Sequence, residues 1–149
     1  MILLDTNVLI YATDRLSPQH LPSRGVVDAS IARRIEGVIV PQVLVEFVAA
    51  ATGKAVRSPL SVEQACAQAA TFGSQIKMLV PSAESVTEWM SILLETGRAG
   101  RRTFDAYLAA QARSLGAATI CTYNLDDFNG VSGIRLLRPE DIPILGEPS

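Results

Sequence analysis

The 149-residue chain has one histidine, two cysteines, 5% aromatic residues and no lysine after Lys77. Each scarcity removes a class of chemistry. His20 lies in a Pro-flanked loop, while Cys66 and Cys121 sit far apart, in an Ala-rich helical stretch and a β-like stretch. These residues cannot assemble a zinc site, and they predict two buried free thiols rather than a bridge, as suits a reducing cytoplasm. No Gly-rich phosphate loop follows the first apolar run, which leads into Asp-Thr-Asn, so a dinucleotide-binding domain is disfavoured. A receiver module would need a lysine after a late strand near its acids, and none is present there. The opening MILLDTNVLIYA is apolar but carries Asp5 early, lacks a basic leader and is too short to span a bilayer, which predicts a cytoplasmic protein with no membrane contact. The formal net charge of −2 supplies no overall basic field, so any nucleic acid would be held by local Arg and Lys groups and by metal ions.

A hydrophobic content of 48% against 19% charged residues describes a chain that folds, and the length suits a single domain over 1–149. Apolar runs at 1–4, 37–40, 76–80 and 118–122 read as buried strands, with a short strand at about 135–137 before a Pro-bounded end. Between them lie helical patterns: a short one after Asn7, one from Val26 to Ile35 stopped by Gly37, and one opened by Pro41 that runs to about Thr52. Ser61 with Gln64 forms a capping box for the next helix. Ser82 is a candidate cap for a helix with Val86, Trp89, Met90, Leu93 and Leu94 on its core face, and Thr103 for one with Phe104, Tyr107, Leu108, Gln111, Ala112 and Leu115 on one side. Alternating strands and helices predict a mainly parallel sheet covered on both faces, an α/β/α sandwich.

In such a sheet the functional crevice lies at the carboxyl ends of the strands. Asp5 follows the first strand, Glu46 is the only charge inside the helix after the second, and Asp126 and Asp127 follow the 118–122 strand. Asp105 joins them if its helix begins at the same edge. Taken singly, each acid also has a plain structural reading as a turn former, helix flank or loop charge. Together they repel, and a hard cation relieves that repulsion. Oxygen ligands without histidine or cysteine select Mg²⁺ or Mn²⁺, whose established use beside a phosphodiester is hydrolysis.

MILLDTNVLIYA, PQVLVEF, RRTFDAYLAAQA and TICTYNLDDF, in that order and over most of the chain, resemble the four signature blocks of PIN-domain ribonucleases, specifically the VapC-like toxins of type II toxin–antitoxin systems. The resemblance implies a PIN-like fold, with Asp5, Glu46 and Asp105 as the first three acidic positions and Asp5 and Asp105 as metal ligands. It also implies Mg²⁺-dependent endonucleolytic cleavage of single-stranded RNA, a homodimer, and a small antitoxin that blocks the site. At the fourth position the family has Thr, any residue, then Asp or Asn, often with another acid just before Phe; here that reads Thr122, Tyr123, Asn124 and Asp127, so Asn124 would be a neutral ligand or water anchor, with Asp127 the acidic candidate and Asp126 its alternative. Thr6, Asn7 and Thr122 match the polar residues beside the acids. Arg98, Arg101 and Arg102, just upstream of Asp105, are candidate phosphate contacts. An RNA-processing PIN nuclease that is not a toxin, or a PIN-like module that only binds, are the alternative functions.

Overall fold

A computed structural model describes residues 1–144. Five parallel strands, β1 (Ile2–Leu4), β2 (Gly37–Ile39), β3 (Lys77–Met78), β4 (Thr119–Cys121) and β5 (Arg135–Leu137), form one sheet in the order β3-β2-β1-β4-β5. Six helices flank it: α1 (Thr6–Thr13), α2 (His20–Ile31), α3 (Pro41–Thr52), α4 (Val62–Gln75), α5 (Glu84–Thr96) and α6 (Arg102–Ser114). This is the expected α/β/α sandwich. The Pro-bounded end past Ile144 lies outside the described residues.

Strand β1 is central because its side chains are apolar on both faces; Leu3 and Leu4 are fully buried, as are Val38, Ile39 and Ile120 on its neighbours. The chain builds outward from β1 through β2 to β3, then crosses to β4 and β5 on the other side. The strand order therefore reverses at β1, and the carboxyl ends of β1 and β4 diverge into a crevice there.

Several local expectations shift, each for a physical reason. Helix α2 begins earlier than predicted, at His20, because Pro22 falls in the first turn, where no amide hydrogen is needed. It ends at Ile31, capped by Ala32, rather than near Gly37: Arg33 takes the left-handed conformation (φ 58°), and Arg34 N donates to Ala29 O at 2.8 Å, closing the helix with a Schellman-type bond. Thr103 does not cap α6, which starts one residue earlier; its hydroxyl donates to Gly100 O. Ala83, not Ser82, precedes α5, and Gly97 in the left-handed conformation (φ 69°) ends that helix. Cys121 is buried but Cys66 is exposed. On α5 only Ile92 among the apolar residues is fully buried; Trp89 and Leu93 pack partly, and Val86, Met90 and Leu94 form an exposed stripe instead of a core face. Phe104 is also exposed, on α6.

Gly37 serves close packing. A Cβ there would lie 2.0 Å from Ser30 Oγ and 2.7 Å from Ser30 Cβ, because α2 crosses directly over the start of β2. Gly37→Ala should lower stability by about 1–3 kcal/mol, the usual cost of overpacking, and Ser30→Gly in the same chain should recover part of it; thermal melts of the two variants measure both.

Candidate active site

Asp5 ends β1 and caps α1. Its carboxylate is 7% exposed and accepts three hydrogen bonds: from Thr6 N at 2.7 Å, the Thr122 hydroxyl at 2.7 Å and Asn7 Nδ2 at 3.1 Å. Thr122 follows β4, so the contact spans the crevice between the two strands. Its hydroxyl also accepts from Asn7 Nδ2 and Asn124 N, both at 3.0 Å, while Asn7 Oδ1 accepts from Tyr123 N at 3.1 Å. Thr6, Asn7 and Thr122 are thus consumed in orienting Asp5 and in tying α1 to the segment after β4.

Glu46 reaches the same crevice from the second turn of α3. Its carboxylate accepts from the Thr6 hydroxyl at 3.0 Å and from Gln42 Nε2 at 2.7 Å. Gln42 in turn accepts from Gln111 Nε2 at 2.5 Å and donates to Phe104 O at 3.1 Å. Gln111 is fully buried on α6, so a chain of amides links α6 to Glu46 through α3. Sequence reading placed Gln111 on one side of its helix among apolar residues and assigned Gln42 no role. A buried amide needs partners, and that is the signal by which an unexplained glutamine on an apolar face would have been found.

Asp105 lies in the first turn of α6 and lines one groove of about 1120 Å³ with Asp5, Glu46, Asn124 and Asp127. The conditional placement of Asp105 is thereby met geometrically. Asp127 belongs to a 3-10 turn, Leu125–Phe128, that follows β4. Of the residues proposed for the fourth position, Asn124 and Asp127 line the groove, while Asp126 is exposed and does not.

The arginines divide. Arg98 is 7% exposed and donates to the carbonyls of Asp127 and Asn129, the latter at 2.6 Å. This corrects its assignment as a phosphate contact: its guanidinium is committed to holding the Asp127 turn. Arg101 and Arg102 remain exposed at the start of α6, outside the groove lining. Two cations that sequence reading passed over, Lys54 and Arg57 in the loop after α3, line the groove instead, and neither has an acidic partner among the described residues. Their loop position carried no periodicity to mark them.

Burial, with smaller contributions from Glu46 and Asp105, pushes the Asp5 carboxyl up to about 6 despite its hydrogen bonds. Burial and the charges of Asp127 and Glu46 also raise Asp105 to about 6, against the pull of Arg98 and Arg102. These are carboxylates short of positive charge. Among the described residues no three Asp, Glu, His or Cys side chains converge closely enough to hold one ion directly. The donor set fits a hard cation that keeps most of its water and is gripped by one or two carboxylates, the usual manner of Mg²⁺.

A family model described as PIN domain matches residues 2–134. The chain belongs to the PIN-domain family. Within it, this PIN domain resembles VapC proteins: it is 33% identical over 120 residues to Ribonuclease VapC7 of Mycobacterium tuberculosis, covering 80% of this chain and 79% of the relative. Ribonuclease VapC24 of the same species is 28% identical over 141 residues, covering 93% and 97%. The fold matches the crystal structure of DNA-bound VapBC from Salmonella typhimurium with a TM-score of 0.68 at 24% identity, over 93% of this chain and 97% of that one. No helix among the described residues of this PIN domain is long and apolar enough to cross a membrane.

The raised carboxyls make stability depend on pH with a definite sign. A folded-state pKa above the ordinary 3.8 means the folded protein binds these protons more tightly, so the contribution is fully present below that value and lost as pH rises through about 6. Metal-free protein should therefore lose stability between about pH 4 and pH 7. Asp105→Asn should be more stable than the wild type at pH 8 by on the order of 1 kcal/mol, a figure discounted for the carboxyl's partial exposure. The gap should close at pH 4; melting curves of the metal-free proteins across this range test it.

Proposed function

We propose that this protein is a divalent-metal-dependent ribonuclease of the VapC type, cutting single-stranded RNA internally, and the toxin of a toxin–antitoxin pair. The observation that carries the reading is the groove at the β1/β4 crevice, where Asp5, Glu46, Asp105 and Asp127 face one another and Asp5 and Asp105 are held above their ordinary pKa. Such a site is poised for a cation and, through it, for a phosphate. The relatives named as VapC ribonucleases support the activity, and the VapBC complex of similar fold supports an antitoxin partner.

Asp5 and Asp105 are the ligands we assign to Mg²⁺, with Mn²⁺ able to replace it. Bound there, the ion would neutralise the carboxylates, activate water and stabilise charge on the scissile phosphate. Thr6, Asn7 and Thr122 hold the Asp5 carboxylate in one orientation, and Gln42 and Thr6 do the same for Glu46, the second acid of the groove. Asp127, presented by the turn that Arg98 clamps, is the fourth acid, and Asn124 beside it is a neutral oxygen donor. Lys54 and Arg57 supply local positive charge for flanking phosphates that the overall charge of −2 does not. The exposed apolar residues Val86, Met90 and Leu94 on α5, with Phe104 on α6 and Val45 on α3, suit a homodimer contact.

Purified protein, freed of any partner, should cleave single-stranded RNA in Mg²⁺ or Mn²⁺ and stop in chelator; cleavage undiminished by chelator would refute the metal mechanism. Asp5→Asn or Asp105→Asn should reduce cleavage at least a hundredfold. Asp127→Asn should lower it with recovery at high Mn²⁺, because an amide oxygen is a poorer ligand that still coordinates, whereas Asp126→Asn should be silent. Equal metal dependence in the Asp127, Asp126 and Asn124 variants would remove the turn after β4 from the site.

A further inference from the structure

Beside the acid groove lies a second recess, of about 500 Å³, whose walls include Tyr11, Pro18, Tyr123, Asn124, Arg138 and Glu140. Tyr11, Pro18 and Asn124 also line the acid groove, so the two recesses adjoin. Aromatic residues are scarce in this chain, and their distribution is uneven. Phe47, Phe72 and Phe128 are buried in the core, Trp89 pairs with Tyr107 across α5 and α6, and Phe104 is exposed on α6. The remaining two aromatic rings, Tyr11 and Tyr123, stand together at the edge of the acids, 5.3 Å between centroids and 82° between planes.

An edge-to-face pair leaves ring faces open to a third partner. The pair is also held rigidly in register with Asp5. Tyr123 follows Thr122, which donates to Asp5; its amide donates to Asn7, which donates to Asp5 as well; and its phenol donates to Glu140 at 2.9 Å. Burial, together with Glu140, pushes the phenol up to about 12, so it remains a donor at neutral pH. Arg138 is exposed at the rim and has no acidic partner among the described residues. Ordered aromatic faces beside a guanidinium are the means by which proteins hold unpaired bases.

We propose that this recess is a base subsite: the nucleobase of a nucleotide flanking the scissile phosphate stacks on the Tyr11–Tyr123 pair, with Arg138 contacting its edge or its phosphate. The inference rests on the ribonuclease reading above, and a substrate modified one base at a time separates the two. In single-stranded RNA carrying one abasic position at a time around a mapped cut, wild-type protein in Mn²⁺ should lose about tenfold in kcat/KM at one flanking position, as expected for one stacked base. Tyr11→Leu should cut the intact RNA about tenfold less efficiently, mainly through KM, and should show no further loss at that abasic position. Tyr11→Phe, which keeps the ring, should behave as the wild type. Tyr123→Leu provides the same comparison if Tyr11→Leu does not fold. Cleavage in which abasic and ring-removal losses simply multiply at every position, or in which no flanking base matters, would overturn the subsite while leaving the nuclease intact. An absence of wild-type cleavage on every substrate would overturn both.

Discussion

A carboxylate buried at the end of a central strand costs several kcal/mol unless its lone pairs are met, and Asp5 is in that position. Its three donors come from the first turn of α1 and from the residue after β4. Satisfying one side chain thus joins the central strand, the helix that follows it and the strand across the crevice. The same bonds that make the burial tolerable also set the geometry of the site. Removing Thr122 or Asn7 would disturb both at once.

Two further constraints act outward from that point. The amide chain from Gln111 through Gln42 to Glu46 couples the start of α3 to the C-terminal half of α6, so the helix that brings Asp105 to the groove is referenced to the helix that brings Glu46. On the other side, Arg98 reaches from the end of α5 to the carbonyls around Asp127. Asp5, Glu46 and the turn that carries Asp127 are therefore each held by a neighbour from a different element. This suits a set of like charges that would otherwise move apart. The remaining strain is electrostatic: Asp5 and Asp105 retain protons to about pH 6, and a cation is the natural relief.

The charge distribution around the groove follows the same economy. Arginines near Asp105 temper its carboxyl or brace the turn beside it, while Lys54 and Arg57, without an acidic partner among the described residues, lie at the groove wall in the loop after α3. A chain with little net charge can thereby meet a polyanion without a broad basic surface. Tyr11 and Tyr123 add ring faces at the groove's edge, where apolar contact supplements charge.

The amino-acid sequence by itself determined the alternation of strands and helices, the parallel sheet and the placing of Asp5, Glu46 and the acids after β4 at strand carboxyl ends, because these depend on local periodicity and on a general rule of α/β topology. It also determined the Ser61–Gln64 capping box, which is a contact between residues three apart. What lay beyond it were contacts between distant residues. Arg98 looks like any loop arginine until the turn 29 residues later folds onto it. Gln42 and Gln111 are 69 residues apart and join only when α3 and α6 pack. Val86, Met90 and Leu94 keep a helical repeat, yet which repeat faces the core is decided by where α6 lies against α5. Asn124 and Asp127 reach the groove and Asp126 does not because a short 3-10 turn rotates successive side chains by about a third of a circle, a difference of direction that adjacent letters do not encode.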